Sequence, residues 1–246
     1  SQPAPALVYY HGGAFAMSYA SMHMQFCQRY ALEAGCIVLL VDYRLAPAKP
    51  FPAGFDDCYT SFGWLRDNAG ELCIDPGRIA VGGDSAGGAF AAGVAQKALD
   101  EGTPSCGQML VYPVLDSRAA TESATKFVDV PLWNSNSNRK MWTMYLKNVD
   151  RENPPPYAAP GERTSLSGLP AAYVETAEFD PLRDEGQAYA QALATQGVAV
   201  EENFTRGTIH GYEIAADNPV TIDSLQRRIA FLKRCFARQE NTNGNK

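Results

Sequence analysis

Short, mostly apolar runs alternate along the chain with longer segments that are amphipathic or rich in alanine. The apolar runs predict strands that are covered on both faces, at residues 6–10, 36–41, 79–81, 109–113, 171–177 and 198–204. The longer segments predict helices, at residues 22–34, 55–68, 89–99, from about 184 to 196, and 220–238. The first and last of these are amphipathic, and the segment 89–99 is alanine-rich. Strands that alternate with helices indicate a single α/β domain over residues 1–246, with a mostly parallel central sheet and helices on both faces.

Residues 116–168 interrupt this rhythm with aromatic residues, polar clusters and prolines. An insertion of this length after a strand is usually functional, and it predicts a partial cap or lid that contains a helix around residues 139–147. Phe15, Trp142 and Tyr145 are expected to line a substrate pocket, although core packing fits Trp142 equally well. Trp133 is assigned to the core.

Composition narrows the range of partners and locations. The chain has 246 residues, 46% of them hydrophobic, and a net charge of −6, which argues against nucleic acid and anionic membrane surfaces. It contains no apolar run of 18 residues that could span a membrane. The six cysteines show neither a C-x-x-C motif nor metal-ligand spacing, so we expect reduced thiols, a cytoplasmic location and no bound metal.

A Gly-x-Ser-x-Gly pattern at residues 83–87 carries the main chemical signal. It joins the run at 79–81 to the helix at 89–99, and this strand–turn–helix context holds a serine in a strained turn at the carboxyl end of a sheet. Small residues are needed at 83 and 86–88, where the two backbones pass closely. The pattern therefore predicts Ser85 as a nucleophile; the alternative is a glycine-rich turn after a buried strand.

The first predicted strand runs into His-Gly-Gly-Ala-Phe at residues 11–15. Two glycines after a strand leave successive backbone N–H groups free to point at one spot, as an oxyanion hole requires. A plain glycine turn is the alternative interpretation. The position of this segment, ahead of the serine motif in the chain, favours the oxyanion hole.

Candidate partners for Ser85 follow in the order Asp180 and His210, which is the order used by α/β-hydrolases. Both lie just after predicted strands, at the same end of the sheet as the serine. Of the other two histidines, His11 lies in the oxyanion segment and His23 lies on a helix upstream of the serine. His210 is therefore the predicted general base and Asp180 the group that orients it.

Glu178 and Asp184 are the other acidic residues near Asp180. Glu178 lies closer to the strand. Asp184 lies one helical turn onward, where a carboxylate suits the positive end of the helix dipole. Both are assigned structural roles, which leaves Asp180 as the predicted acid.

Taken together, the motifs resemble those of the hormone-sensitive-lipase-like esterases, also called bacterial family IV. The matching segments span most of the chain and lie at residues 9–15, 42–47, 83–88, 157–160, 180–186 and 210–211. The resemblance implies an α/β-hydrolase fold, hydrolysis of short-chain carboxylic esters, and no cofactor. It also implies an oxyanion hole formed by the Gly12, Gly13 and Ala14 loop and by Ala86, with Gly13, Ala14 and Ala86 as donors and Gly12 shaping the turn.

Two departures from the family pattern carry expectations. Ala14 replaces a glycine, and its Cβ is expected to narrow the site toward small substrates. The family normally has two further strands and a helical arm before the first strand, and these N-terminal elements are expected to be absent here, either by truncation or through a naturally reduced cap. A more open site and an exposed strand edge at 36–41 follow, with self-pairing into a homodimer as a hypothesis.

The expected function is therefore a serine carboxylesterase that acts on small-molecule esters through an acyl-enzyme. An amidase or deacetylase using the same residues is one alternative. A non-catalytic small-molecule-binding protein of the same fold is the other, although such a protein has no need of His210.

Overall fold

Six strands and seven α-helices make up residues 2–237, the part of the chain that this computed structural model describes. They follow one another as β1 (Ala4–Tyr10), α1 (Ser21–Ala34), β2 (Ile37–Val41), α2 (Ala53–Asp67), β3 (Ile74–Asp84), α3 (Ala86–Asp100), β4 (Gln108–Val111), α4 (Glu122–Lys126), α5 (Ser135–Tyr145), β5 (Ala172–Phe179), α6 (Arg183–Thr195), β6 (Val200–Ile209) and α7 (Pro219–Phe236).

The strands form one sheet in the order β2-β1-β3-β4-β5-β6, and every pair is parallel. The predicted α/β sheet is therefore confirmed. In a parallel sheet the carboxyl ends of all strands lie along one edge, where ligands bind in folds of this type. Ser85, Asp180 and His210 are the residues that directly follow β3, β5 and β6, so the topology brings them to the same edge.

Helices cover both faces of the sheet because successive side chains on each strand point to opposite sides. In β1, Leu7 and Tyr9 pack in a cluster with α1 and α7. The alternate residues Val8 and Tyr10 pack in the larger cluster with α2, α3, α5 and α6. A strand buried on both faces reads as a continuous apolar run, which is why the sequence pattern located the strands well.

The structure differs from the sequence expectations mainly at element ends. Strand β6 continues to Ile209, five residues beyond the predicted end at residue 204. Helix α3 begins at Ala86, directly after the serine, and not at residue 89. The short helix α4 was not predicted. The composition of the polar tail at 239–246 predicts disorder, and this tail lies outside the described residues.

Strand β2 lies at the edge of the sheet, as the sequence predicted, and within residues 2–237 its one hydrogen-bonded neighbour is β1. Its first residue, Ile37, is 39% exposed, and the next three are half-buried. The pairing of two copies through this edge remains a prediction.

All six cysteines carry free thiols. Between residues 2 and 237, no group of three or more His, Cys, Asp or Glu side chains has an arrangement that could hold a metal ion. No helix in the same part of the chain is long and apolar enough to cross a bilayer.

Candidate active site

Ser85 lies in the tight turn between β3 and α3. Its backbone has φ 55° and ψ −119°, a region that residues with a side chain rarely adopt. The strain, of order 1–3 kcal/mol, persists because neighbouring hydrogen bonds fix the turn. The Ser85 N–H donates to the Val111 carbonyl at 2.9 Å, and the Ser85 carbonyl accepts from Val114 at 3.1 Å.

Close backbone contacts explain the glycines around this turn. A Cβ added to Gly87 would lie 1.9 Å from the Tyr10 carbonyl oxygen, and one added to Gly83 would lie 2.4 Å from the Gly87 carbonyl. A Cβ on Gly88 would lie 2.8 Å from the Cβ of Pro113. The predicted need for small residues at these three positions is confirmed, since β1 and Pro113 pass too close to the turn and to the start of α3 for a side chain.

The three reactive groups predicted from sequence lie in hydrogen-bonding contact. His210 Nε2 is 2.9 Å from Ser85 Oγ, and His210 Nδ1 is 2.7 Å from Asp180 Oδ2. Asp180 is fully buried, and its other oxygen accepts the Leu182 N–H at 2.9 Å. A carboxylate on Nδ1 favours the tautomer that carries its proton there, which leaves Nε2 free to accept the serine proton.

Burial alone would lower the pKa of His210, but the charge and hydrogen bond of Asp180 outweigh it and raise that pKa above the ordinary value. The Tyr112 ring packs against the imidazole, with ring centroids 4.5 Å apart. The imidazole is thus fixed in place and made a stronger base than a free histidine.

The neighbouring acids have other partners. Glu178 Oε2 accepts the Gly207 N–H at 2.7 Å, which braces the strand before His210. Asp184 Oδ2 accepts the Ser123 N–H at 2.7 Å, which ties the start of α6 to α4. These contacts match the structural roles expected of both residues.

The segment after β1 makes a turn with three consecutive positive φ angles, 127° at Gly13, 55° at Ala14 and 57° at Phe15. Its fold is held by the Ala16 and Met17 N–H groups, which both donate to the Gly13 carbonyl at 2.9 Å. Ala14 therefore occupies a left-handed conformation that glycine adopts at no steric cost. The Gly12 backbone packs against the Asp84 carboxylate, where a Cβ would meet Asp84 Oδ2 at 2.2 Å.

A cavity of about 310 Å³ opens directly onto these groups. Ser85, His210, Gly13 and Ala14 lie in its wall, and the rest of the wall is mainly apolar, formed by Met17, Met22, Leu132, Trp133 and Ile214. A larger cavity of about 960 Å³ lies at the opposite edge of the sheet, beside residues such as Arg78 and Arg234. It contains none of the paired reactive groups, so size alone does not identify the site.

The three aromatic residues that were expected to line the pocket do not line it. Phe15, Trp142 and Tyr145 are 1%, 0% and 3% exposed and belong to the core, not to the cavity. Phe15 and Tyr145 stack with ring centroids 3.8 Å apart, because α5 turns its apolar face toward the sheet. Trp133, which was assigned to the core, lines the cavity with its ring 5.8 Å from that of His210.

A buried charged cluster behind His210 was not found from the sequence. The Arg228 guanidinium, 1% exposed, donates to both Glu175 and Glu213. Glu213 also accepts the Tyr112 hydroxyl at 2.5 Å, and Glu175 accepts the Tyr212 hydroxyl at 2.8 Å. The cluster therefore ties the loop that carries His210 to β5, to α7 and to the tyrosine that packs on the imidazole.

Comparisons with known proteins identify the family to which the chain is related. A family model described as alpha/beta hydrolase fold matches residues 7–214. Carboxylesterase NlhH of Mycobacterium tuberculosis is 40% identical over 237 residues, which cover 94% of this chain and 74% of that protein. The structure of a bacterial heroin esterase superposes with a TM-score of 0.94 at 42% identity, covering 97% of this chain and 77% of that one. A hyperthermophilic esterase from Pyrobaculum calidifontis gives a TM-score of 0.89 at 36% identity, with 95% and 75% covered.

Proposed function

Since the chain belongs to the α/β hydrolase family, among the carboxylic ester hydrolases related to hormone-sensitive lipase, we propose that it hydrolyses short-chain carboxylic esters through Ser85, His210 and Asp180. The reaction proceeds through an acyl-enzyme on Ser85. The observation that carries this proposal is the unbroken contact from the Asp180 carboxylate through both ring nitrogens of His210 to the Ser85 hydroxyl.

In the first half-reaction, Ser85 Oγ attacks the ester carbonyl carbon while His210 Nε2 takes the hydroxyl proton. Asp180 stabilises the imidazolium that forms. His210 then gives the proton to the departing alkoxide, and the alcohol leaves the acyl group on Ser85. Water attacks this acyl-enzyme by the same route, with His210 acting again as base and then as acid, and the carboxylic acid is released.

Backbone amides hold the negative charge that develops on the carbonyl oxygen. The donors are the N–H groups of Gly13 and Ala14 in the loop and of Ala86 at the start of α3. The Gly12 amide is directed elsewhere, since it helps to lower the pKa of Asp84. Loss of one such donor typically slows the chemical step by about 100- to 1,000-fold, so the placement of these amides contributes to the rate alongside Ser85, His210 and Asp180.

The cavity supports a small, neutral ester as substrate. Among the described residues, Asp84 is the only Asp, Glu, Lys or Arg in its wall, and that carboxylate already accepts the Tyr9 hydroxyl at 2.8 Å. The volume of about 310 Å³ and the apolar wall suit short acyl and alcohol groups. The membership in an enzyme family sets aside the alternative of a non-catalytic binding protein.

The test is hydrolysis of p-nitrophenyl acetate, butyrate, octanoate and decanoate by the wild-type protein and by Ser85→Ala. Ser167→Ala, at an exposed serine remote from the cavity, is the matched control. We expect kcat/KM to be greatest for acetate or butyrate, Ser167→Ala to match wild type, and Ser85→Ala to lose at least about 1,000-fold. Equal rates for wild type and Ser85→Ala would contradict the mechanism. Faster turnover of p-nitroacetanilide than of the esters would favour the amidase alternative.

A further inference from the structure

His23 lies within the wall of the substrate cavity, beside the nucleophile turn, but takes no part in the reaction described above. It occupies the third position of α1, the helix that follows the oxyanion segment, and it is 7% exposed. A buried histidine at this place has a specific set of partners, and these partners define what it can do.

Both ring nitrogens of His23 are hydrogen-bonded. The backbone N–H of Ala20, the residue immediately before α1, donates to Nδ1 at 2.8 Å. Nδ1 is therefore the acceptor, and the ring proton lies on Nε2, which donates to Asp84 Oδ2 at 3.3 Å. The ring thus connects Ala20, five residues after the oxyanion segment, to Asp84, the residue immediately before Ser85.

Asp84 is held as a carboxylate. Burial alone would raise its pKa, but the hydrogen bond and charge of His23, with the Tyr9 hydroxyl and the Gly12 amide, lower it. The same carboxylate oxygen that accepts from His23 packs against Gly12, so Asp84 contacts the oxyanion segment near both of its ends. Moving this carboxylate would move the backbone that carries the oxyanion amides.

The segment 11–20 is tied to the nucleophile strand near both of its ends, and Gly12 packs on Asp84 as described above. At its start, Tyr10 pairs with Gly83 in the parallel ladder between β1 and β3. At its far end, the His23–Asp84 hydrogen bond links the segment to the end of β3. Between these two ends lie the positive-φ residues Gly13 and Ala14, whose amides are the proposed oxyanion donors.

We propose that His23 is a positioning residue for ester hydrolysis, which fixes the distance between the oxyanion amides and Ser85 through its hydrogen bond to Asp84. This inference rests on the function proposed above. Loosening the tie affects the transition state more than the bound substrate, because the oxyanion forms only as the serine attacks.

Two substitutions separate this role from simple capping of α1. His23→Gln places an amide N–H where Nε2 lies and keeps the donor to Asp84. His23→Asn places its oxygen where Nδ1 lies and keeps the bond to Ala20, but cannot reach Asp84. If His23 only caps α1, His23→Asn should be the less damaging of the two substitutions. If His23 positions Asp84, His23→Gln should retain the higher kcat.

With p-nitrophenyl acetate we expect His23→Gln to keep kcat within about threefold of wild type, and His23→Asn to lose about 10- to 100-fold with KM changed less than about threefold. Met24→Ala, at the adjacent exposed position, is the control and should match wild type. Thermal unfolding of each variant shows whether a loss of rate reflects a loss of fold.

Asp84→Asn and the double variant His23→Asn/Asp84→Asn give a second, independent readout. If the two side chains act through one hydrogen bond, the double variant should be no slower than the slower single variant; fully multiplicative losses would overturn the inference. Equal kcat for His23→Asn and His23→Gln would also overturn it. Should wild type and Ser85→Ala hydrolyse the ester equally, the proposed function fails and this inference with it, so the two failures are distinguishable.

Discussion

The Nε2 atom of His210 lies 2.9 Å from the Oγ of Ser85, although 125 positions separate the two residues in the chain. The strands that precede them, β3 and β6, are three places apart in the sheet, or about 14 Å at the usual strand spacing. The loop after β6 must therefore lean back across the ends of β4 and β5. The Arg228 cluster holds that loop through Tyr212 and Glu213, so it helps to keep His210 beside Ser85.

Replacing Asp180 by Asn should slow the reaction and shift its pH dependence. Ester hydrolysis requires neutral His210, so the rate falls as the pH drops through the raised pKa of that histidine. Without the Asp180 charge this pKa falls, and the acid limb of kcat/KM should move to lower pH. We expect kcat to drop by about 1,000- to 10,000-fold, because the favoured tautomer is also lost.

Rates measured from pH 4 to 9 on p-nitrophenyl butyrate check the Asp180 prediction. Glu178→Gln is the matched control, since that carboxylate accepts from Gly207 and not from the imidazole. Its acid limb should coincide with that of wild type. An acid limb that stays in place or moves upward in Asp180→Asn would show that Asp180 does not set the pKa of His210.

Gly87→Ala, which adds one methyl group, should disrupt the turn that carries Ser85. The added Cβ would lie 1.9 Å from the Tyr10 carbonyl oxygen, so α3 or β1 has to shift. We expect a loss of about 3 kcal/mol or more in the free energy of unfolding, measured by urea titration, together with loss of activity. Gly63→Ala, within α2, is the control, because nothing lies within 4 Å of the Cβ that it adds. Its free energy of unfolding should rise by about 0.5–1 kcal/mol. Similar values for the two variants would contradict the steric argument.

The side chain of Ala14 should restrict the acyl chain. Ala14 lines the cavity at φ 55°, so Ala14→Gly keeps the backbone amide, suits the conformation and removes one methyl group from the wall. We expect the ratio of kcat/KM for octanoate over acetate to rise about 3- to 10-fold, in line with the effect of one methylene on binding. Ala16→Gly, two residues on and outside the cavity wall, should leave the ratio unchanged. A ratio that falls in Ala14→Gly would reject the assignment of Ala14 as a size limit.

Removing the charge of Arg228 should destabilise the protein far more than removing a surface arginine. Arg228→Met leaves Glu175 and Glu213 buried without their cation, and the loss should reach about 3–5 kcal/mol in the free energy of unfolding. Arg227→Met, at the preceding residue of α7, breaks an exposed ion pair with Asp223. It should change the free energy of unfolding by less than about 1 kcal/mol. Urea unfolding of both variants is the measurement, and comparable losses would contradict the special role of the buried arginine.

The fold and the reactive groups could be predicted from the sequence because few backbone arrangements satisfy both the apolar runs and the glycine pattern around Ser85. Apolar runs fix parallel strands, and the glycines around Ser85 fit only a crowded turn. Residues that follow such strands then converge at one edge, which places Asp180 and His210 without knowledge of any contact. The position of Ala14 in a left-handed conformation could not be predicted, because the spacing of residues does not specify φ.

The wall of the cavity and the buried charges could not be predicted from the same patterns. Periodicity shows that the helix around 139–147 has an apolar face, but not whether that face meets the sheet or a substrate. For this reason the sequence left Trp142 open between core and pocket, and it missed that Trp133, which packs against the core, also lines the cavity. Arg228 and Glu175 look like surface residues in sequence, since burial of a charge depends on partners that are distant in the chain.

Met17, Leu132 and Ile214 form the outer part of the cavity wall and are 60%, 63% and 66% exposed. They come from three separate segments, and none of them belongs to the buried clusters that support the sheet. Variation at these positions can therefore change which alcohols and acids the protein accepts while the sheet and the reacting groups stay intact. In a directed-evolution library these are the sites to diversify, and diversification within residues 83–88 would mostly produce chains that do not fold.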